Sequence, residues 1–372
     1  MAKSKSLMPI SREALSKYLS TLYSKSVKVC RAWRLDSEKP KGAHDLKGFG
    51  YGFPYVIEFN IDGETKRAVL ETMRPEGFGH DHFSDRAQVL LWQHSAFGKL
   101  PRHVRSMDVG AFTTGEPCLK SLGRCNEFFI LTEFVDGKLY HFDLDHIKQT
   151  GECNKLDEER CLALSDYLVE IHKCKCEAPW LYVRRVRELV GHGECIMGML
   201  DSYPSELDFA GESYLIDVER DSVVWRWRLK RMAHRLSQVH GDFHPWNILF
   251  RRGVDFSVLD RSRGEWGEPA DDVAAMTINY LFYSLQKHGA LQGSFERLFK
   301  LFWENYLRAT GDFEILEVVQ PFYAWRGLVV ASPVWYPKLG KRVRVKLLNF
   351  VKNVLRDEKF DLNHVNSYLA NP

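Results

Sequence analysis

Long hydrophobic runs are missing from this chain. None of its 372 residues fall in an apolar run of about 18 or more, so we predict no membrane span. The polar start, residues 1–6, is not followed by the apolar segment of a secretory signal peptide. Internal repeats and low-complexity tracts are not visible either. We therefore expect a globular protein of the cytoplasm.

Cysteine pairs with metal-binding spacing are missing as well. The eight cysteines are scattered along the chain, and no two of them have the C-x-x-C spacing. Cys174 and Cys176 are close, but a single intervening residue gives poor geometry for a zinc knuckle. We expect structural or free thiols, which are typical of a reducing compartment.

A large excess of charge of one sign is also missing, since the net charge is only +3. A polyanionic partner would therefore have to bind a local patch. Residues 223–236 alternate Trp with Arg and Lys, and residues 338–352 form a basic amphipathic helix pattern. Nucleic-acid stacking or anion binding is one interpretation of these segments. We favour the other, in which the Trp side chains are partly in the core and the basic faces are solvated.

The length corresponds to about two to three domains. The predicted strands are 27–35, 55–61, 68–73, 104–109 and 128–135. The predicted helices are a first helix capped by Ser11, then 84–97, 158–172, 182–200, 223–236, 269–285, 295–309, 314–331 and 338–352. The chain is mostly helical from Lys138 onward. We predict an α+β protein with a β-rich N-terminal lobe, residues 1–137, and a helical C-terminal lobe, residues 138–372.

The most informative stretch is 239–260. Two short apolar runs, 248–250 and 256–259, flank a polar turn and predict a small hairpin. The polar residues at its ends are His240, Asp242, Asn247 and Asp260. Two carboxylates and one amide at the same edge of a hairpin make a hard-oxygen site, which suits Mg²⁺ and phosphate chemistry.

A glycine-rich loop precedes the second predicted strand. Its alternate glycines are Gly48, Gly50 and Gly52, and an Asp-Gly turn at 62–63 joins the next two β runs. A nucleotide-phosphate lid has this order of strand, glycine-rich loop and hairpin, because glycine lets backbone N–H groups approach phosphates closely. The pattern alone is equally typical of a glycine-rich surface loop.

Together these parts supply what phosphoryl transfer from ATP requires. Asp242 would accept a hydrogen bond from the acceptor hydroxyl and act as the catalytic base. Asn247 and Asp260 would give oxygen ligands to Mg²⁺, and His240 would brace the loop by hydrogen bonds rather than titrate. The alternative is that His240 and Asp242 merely cap the preceding helix.

These motifs resemble the aminoglycoside phosphotransferase/choline kinase-type family of small-molecule kinases, a branch of the protein-kinase-like fold. Residues 240–247, HGDFHPWN, match the family's H-G-D-x-H-x-x-N catalytic loop, and 258–260 match its second metal-binding segment. Residues 267–274 resemble a helix start at which, the resemblance implies, Asp272 braces the catalytic loop. The resemblance implies a two-lobed kinase-like fold that uses ATP and Mg²⁺.

The resemblance also implies where adenine would bind. Residues 131–137 resemble the family's hinge segment, whose backbone would meet adenine near Glu133 and Val135. Residues 168–172 resemble the helix before the catalytic region. These matches run from about residue 46 to residue 285.

One departure concerns the lysine that family members usually carry on the third strand. Residues 69–74, VLETMR, place Glu71 at that position, and the family's partner glutamate aligns with Arg86. Either the family's Lys–Glu ion pair is kept with its charges exchanged, as Glu71 with Arg86, or the alignment of this strand with the family's third strand is shifted by a residue or two. Arg86 could replace the lost phosphate contact because its fork suits phosphate, and Arg67 and Lys47 are further candidates.

Three functions are compatible with these observations. The first, which we predict, is Mg²⁺-dependent transfer of the γ-phosphoryl group of ATP to a hydroxyl of a small molecule. The second is a pseudokinase that binds nucleotide or a partner without catalysis, because of Glu71. The third is a nucleic-acid-associated kinase that uses the two basic segments. The presence of Asp242, Asn247 and Asp260 together favours catalysis. In the helical lobe, Arg and Lys lie near the candidate pocket helices as often as Asp and Glu do, which disfavours an aminoglycoside and leaves neutral or anionic acceptors open.

Overall fold

The computed structural model describes residues 11–34, 52–73, 75, 80–97, 106–114, 118–123, 136–204, 207, 209–261, 263 and 265–371. The chain divides into two compact units, Met1–Thr132 and Glu133–Pro372. The sequence-based boundary lies slightly later, after Gly137. The strand expected at 128–135 lies outside the described residues.

The first unit is built on a three-stranded antiparallel sheet. Helix α1 spans Arg12–Tyr23, and strands β1 (Val27–Arg34), β2 (Gly52–Ile61) and β3 (Glu64–Met73) follow in the order β1-β2-β3. The hydroxyl of Ser11 accepts from the Ala14 N–H at 3.0 Å, as a helix cap does. The apolar face of α1 then packs on the sheet, with Leu15 and Leu19 buried on the helix and Val29 and Phe59 buried on the strands. The helix, its cap and the three strands confirm the predictions.

The turn between β2 and β3 is a tight two-residue turn. Asp62 and Gly63 both have positive φ, 53° and 80°, and Ile61 pairs directly with Glu64. Positive φ at both central residues is the type I′ requirement that Asp-Gly satisfies well, so the hairpin prediction is confirmed.

The rest of the first unit is less regular. Helix α2 spans Phe83–Phe97, and short strands β4 (Gly110–Phe112) and β5 (Leu119–Ser121) pair with each other. The strand expected at 104–109 is wrong in its described part, because residues 106–109 are not in a strand. Side chains hold this segment instead: the Asp108 carboxylate accepts from the Tyr18 and Ser121 hydroxyls at 2.5 and 3.0 Å.

The second unit is helical around one apolar core. Its helices are α3 (His141–Thr150), α4 (Lys155–His172), α5 (Pro179–Gly191), α6 (Ile196–Asp201), α7 (Glu212–Leu229), α8 (Pro269–His288), α9 (Gly293–Thr310), α10 (Gln320–Ala331) and α11 (Lys341–Arg356). Helix α8 is buried on all sides from Val273 to Leu285, because its sequence is apolar around the whole helix. The other helices pack their apolar faces against this central helix and against each other.

Three short strands and the predicted hairpin lie among these helices. Strands β6 (Lys138–Leu139), β8 (Ile248–Phe250) and β9 (Phe256–Val258) form an antiparallel sheet in the order β6-β8-β9. Strand β7 (Ser237–Gln238) pairs with β10 (Trp266–Gly267). These two sheets position both ends of the segment that carries the predicted catalytic loop.

Three helix predictions were wrong in their bounds. The helix expected at 314–331 begins later, at Gln320, and a separate 3₁₀ helix spans Phe313–Glu317. The helix expected at 182–200 is divided into α5 and α6, because Gly191 and Gly193 interrupt it. The helix expected at 223–236 begins earlier, at Glu212, and ends at Leu229. Trp225 is buried and donates its indole N–H to the Leu355 carbonyl at 2.7 Å, whereas Trp227 is 58% exposed.

Among the described residues, no helix combines the length and apolar character that a membrane span needs.

Candidate active site

The predicted hairpin is present. Ile248 pairs with Val258 and Phe250 with Phe256, so β8 and β9 are in register without a bulge. The turn is closed by the Arg251–Asp255 ion pair at 2.6 Å and by Gly253, whose φ is +64°. The N–H of Leu259 donates to the carbonyl of Asn247 at 2.8 Å. This bond brings the segments that carry Asn247 and Asp260 to the same end of the hairpin.

The loop from His240 to Asn247 is held from behind by Asp272. The two carboxylate oxygens of Asp272 accept from the N–H groups of His240 and Gly241, each at 2.7 Å. Gly241 has a φ of +85°, which only glycine adopts without strain. The side chain of Asp272 is fully buried in the first turn of α8. The bracing role that the family resemblance implied for Asp272 is therefore confirmed.

A second layer supports Asp272. His172, at the end of α4, is 3.1 Å from Asp272 through Nε2 and 2.8 Å from the Tyr306 hydroxyl through Nδ1. Burial alone would raise the pKa of Asp272, but His172 and the loop N–H groups hold that pKa below its usual value. Helices α4, α8 and α9 thus position one ionised carboxylate behind the loop.

Asp242 is held by groups on both sides of its carboxylate. Arg326 donates to Oδ1 at 2.5 Å, and the Asn247 amide donates to the Asp242 carbonyl at 3.0 Å and to Oδ2 at 3.3 Å. His244 Nε2 lies 3.4 Å from Oδ2. Burial would raise the pKa of Asp242, but Arg326 and His244 hold it well below its usual range. Asp242 is therefore an ionised hydrogen-bond acceptor.

Arg326, in the middle of α10, is the residue at this site that sequence reasoning missed. Besides Asp242 it contacts the Gly241 carbonyl at 2.9 Å and Asp271 Oδ1 at 2.6 Å, and it is only 6% exposed. The sequence does contain a signal for Arg326. A charged residue inside the apolar segment 320–331 is expected to be buried and therefore to require a partner.

His240 is buried and takes part in the loop's own hydrogen bonding. It is 2% exposed, and its Nδ1 accepts from the Asp242 N–H at 3.2 Å. Burial lowers the pKa of His240. A neutral ring with Nδ1 as an acceptor is the state that this bond requires.

Asp260 has an unusual backbone conformation. Its φ is +56°, in the left-handed region that costs a non-glycine residue about 1–3 kcal/mol. The side chain is exposed, and within the described part of the chain its carboxylate has no hydrogen bond or ion pair. Strain at a free carboxylate is typical of a functional position. The described residues contain no cluster of three or more His, Cys, Asp or Glu placed to hold a metal ion.

The residues expected to contact the nucleotide are described only in part. Gly52 is the first residue of β2 and pairs with Met73, whereas Gly48, Gly50, Lys47, Glu133 and Val135 lie outside the described residues. Glu71 is exposed on β3 and pairs with Pro54 across the sheet.

The charge-exchanged ion pair is not formed in the described part of the chain. The guanidinium of Arg86 donates instead to the carbonyls of His80 and Asp81, at 2.8 and 3.0 Å. Arg67 is paired with Glu58 at 2.7 Å. In the described residues, a Glu71–Arg86 ion pair therefore does not replace the family's strand lysine.

Comparison with protein families identifies the class. The sequence model of APH, the phosphotransferase enzyme family, matches residues 122–308, just over half of the chain. The chain belongs to this family, and its α+β architecture is the family's protein-kinase-like fold. A search of curated protein sequences gave no significant match.

Several solved kinase structures are similar to the chain. Ethanolamine kinase from Plasmodium vivax is 16% identical, with 98% of this chain and 95% of that one covered and a TM-score of 0.35. Amicoumacin kinase hAmiN is 14% identical, with 84% and 89% covered and a TM-score of 0.41. A glucosamine kinase is 16% identical with a TM-score of 0.34, but 57% of this chain and only 59% of that enzyme are covered.

Proposed function

We propose that this protein transfers the γ-phosphoryl group of ATP to a hydroxyl group of a small molecule. The observation that carries the proposal is the arrangement around Asp242. Its ionised carboxylate is fixed by Arg326 and Asn247, in a loop that Asp272 holds through two backbone N–H groups. The reaction requires a carboxylate that is fixed before the substrate arrives.

Asp242 would orient the acceptor hydroxyl by accepting its hydrogen bond. The hydroxyl oxygen forms a bond to the γ-phosphorus, the bond from that phosphorus to the ADP oxygen breaks, and the hydroxyl proton passes to Asp242. Because the transition state of phosphoryl transfer is loose, the proton leaves late and a strongly basic carboxylate is not needed. The lowered pKa of Asp242 is compatible with this role.

Asn247 and Asp260 are suited to hold Mg²⁺. The Asn247 amide nitrogen is committed to Asp242, which leaves its amide oxygen for a cation. The exposed Asp260 carboxylate supplies a second hard oxygen. When bound, the metal would neutralise charge on the ATP phosphates. The glycine loop of Gly48, Gly50 and Gly52 and the backbone near Glu133 and Val135 are the proposed nucleotide contacts.

A pseudokinase is the second candidate, and one observation favours it. The sequence alignment places Glu71 at the position of the family's strand lysine, and in the described residues its carboxylate is not paired with Arg86. A carboxylate near the ATP phosphates would repel them. In this alternative the protein binds nucleotide or a partner and releases no ADP.

Two measurements on the purified protein separate these functions. Thermal unfolding with ATP, with and without Mg²⁺, tests nucleotide binding. ADP release, measured with a panel of neutral and anionic metabolites that carry hydroxyl groups, tests transfer. We expect Mg²⁺-dependent stabilisation by ATP and ADP release with a subset of the panel. Stabilisation without ADP release from any member supports the pseudokinase. No effect of any nucleotide contradicts both the kinase and the nucleotide-binding form of the pseudokinase.

A further inference from the structure

Arg326 is a buried cation in an apolar helix. Its neighbours in α10 from Gln320 to Leu328 are all buried, and Arg326 itself is 6% exposed. A guanidinium at such a position is tolerated only if its hydrogen bonds and charge are matched by fixed partners. The hydrogen-bond partners of Arg326 therefore indicate its role in the fold.

Every nitrogen of the Arg326 guanidinium has a partner. Nη1 donates to Asp242 Oδ1 at 2.5 Å, and Nη2 donates to the Gly241 carbonyl at 2.9 Å. Nε and Nη2 both donate to Asp271 Oδ1, at 3.1 and 2.6 Å. One planar group thus joins α10, the catalytic loop and the first turn of α8. Lysine has a single nitrogen and cannot make these contacts in the same geometry.

The two oxygens of Asp242 are left in unequal states. Oδ1 accepts the short, charge-assisted bond from Arg326. Oδ2 has only longer contacts, 3.3 Å to the Asn247 amide and 3.4 Å to His244. A carboxylate held at one oxygen cannot rotate freely, so the other oxygen faces one fixed direction.

Asp271 holds the guanidinium from the opposite side. It lies next to Asp272 in sequence, so the same helical turn fixes both the loop and Arg326. Burial raises the pKa of Asp271 to about 6, even though Arg326 lowers it, so at neutral pH this carboxylate is ionised and can pair with the guanidinium. Asp271 and Asp242 therefore share one cation.

We propose that Arg326 is a positioning residue of this enzyme. It occupies Oδ1 of Asp242 and leaves Oδ2 to bind the acceptor hydroxyl, with Asp271 as its anchor. This inference rests on the proposed phosphotransferase function. According to this inference, a residue of α10 orients the acceptor through Asp242, although it lies 84 residues further along the chain. The family motifs do not include α10.

The test compares Arg326→Lys with a matched control, Arg344→Lys. Arg344 is also a buried arginine, at 4% exposed, and its guanidinium also has fixed partners, the carbonyls of Ala331 and Leu339 at 2.6 and 3.2 Å, but it does not contact Asp242. The probe is ADP release from ATP and Mg²⁺, first with water as the acceptor and then with any active member of the metabolite panel. All variants are assayed well below their unfolding midpoints.

We expect Arg326→Lys to lower kcat by about 10- to 100-fold, because a displacement of about 1 Å at the reacting groups has that effect. The KM for ATP should stay within about threefold, since Arg326 has no role in nucleotide binding. Arg344→Lys should lose stability but keep its kcat within about threefold. Guanidinium ion at low millimolar concentration should restore part of the kcat of Arg326→Ala, and ammonium ion should not.

The outcomes separate the inference from the proposed function. A wild-type kcat in Arg326→Lys overturns the inference and leaves the function intact. Equal losses of kcat in Arg326→Lys and Arg344→Lys also overturn it, because they show an effect of stability alone. A wild-type protein that releases no ADP with water or with any panel member overturns the proposed function and the inference together.

Discussion

At the scale of single residues, the loop from His240 to Asn247 depends on hydrogen-bond acceptors that cannot be replaced by donors. Asp272 binds two backbone N–H groups, and both of its oxygens are used. Within the loop, the Asp242 N–H also donates to Nδ1 of His240. The loop conformation is therefore fixed by the charge state and hydrogen-bonding capacity of a few side chains.

The Asp272→Asn variant should lose both stability and activity. An asparagine can accept at one oxygen only, so its NH₂ group would face the N–H of either His240 or Gly241. Leaving buried donors unsatisfied costs about 1–3 kcal/mol each, and we expect a loss of that order in the free energy of unfolding. Urea unfolding followed by circular dichroism measures it. The control is Asp361→Asn, at a half-exposed carboxylate, and equal stabilities of Asp272→Asn and wild type would contradict this account.

Asp271 gives a pH prediction. Burial raises its pKa to about 6, against about 3.9 in an unfolded chain, so the folded state binds the proton more tightly. Asp271 thus contributes stability that is fully present below about pH 4 and is lost as the pH rises through about 6. Asp271→Asn removes this titration.

The measurement is urea unfolding of both proteins between about pH 4 and pH 7. The free energy of unfolding of the wild type should fall relative to that of Asp271→Asn across this range. Parallel pH profiles, or a rise of the wild type relative to the variant, would show that the Asp271 pKa is not raised.

At the scale of elements, a buried ion cluster fixes the N-terminus of α8. Arg235 donates to both oxygens of Glu268, at 2.9 to 3.1 Å, and to Asp312 and Glu314. Glu268 also caps α8 by accepting from the Ala270 N–H, and it accepts from the Tyr182 hydroxyl at 2.7 Å. This cluster places the helix start that carries Asp271 and Asp272.

Replacing Arg235 by methionine should therefore destabilise the second unit strongly. Removing one partner of a buried ion pair leaves an unpaired buried carboxylate, here Glu268, and typically costs about 3–5 kcal/mol. Chemical unfolding detected by tryptophan fluorescence measures the change. Arg251→Met, which breaks the exposed pair with Asp255, is the control and should change stability little. If the two variants behave alike, the cluster is not what holds α8.

The elements that the sequence predicted well depend on local signals. The Ser11 cap, the Asp62–Gly63 turn and the β8–β9 hairpin are each specified by residues within a few positions of each other. Helix bounds failed where local propensity competes with tertiary contacts. The α7 pattern is one case, since Trp225 is fixed by Leu355, which is distant in sequence.

At the scale of the whole molecule, the candidate active-site motif could be predicted from the sequence. The distant residues that hold this motif in place could not. His240, Asp242 and Asn247 lie in one short loop, so their spacing could be read directly. Arg326 joins Asp242 across 84 residues, and no short-range pattern encodes that contact. The proposed nucleotide residues Gly48, Gly50, Glu133 and Val135 lie outside the described residues and stay predictions.

The measurement that tests the central claim most directly is ATP-dependent phosphorylation of an acceptor by wild type and by Asp242→Asn. We predict that Asp242→Asn still binds ATP with Mg²⁺ and keeps its fold. Its kcat should fall by at least about 100-fold, because the acceptor hydroxyl loses the group that orients it and takes its proton. A folded Asp242→Asn protein that phosphorylates the same acceptor at the wild-type rate would contradict the account.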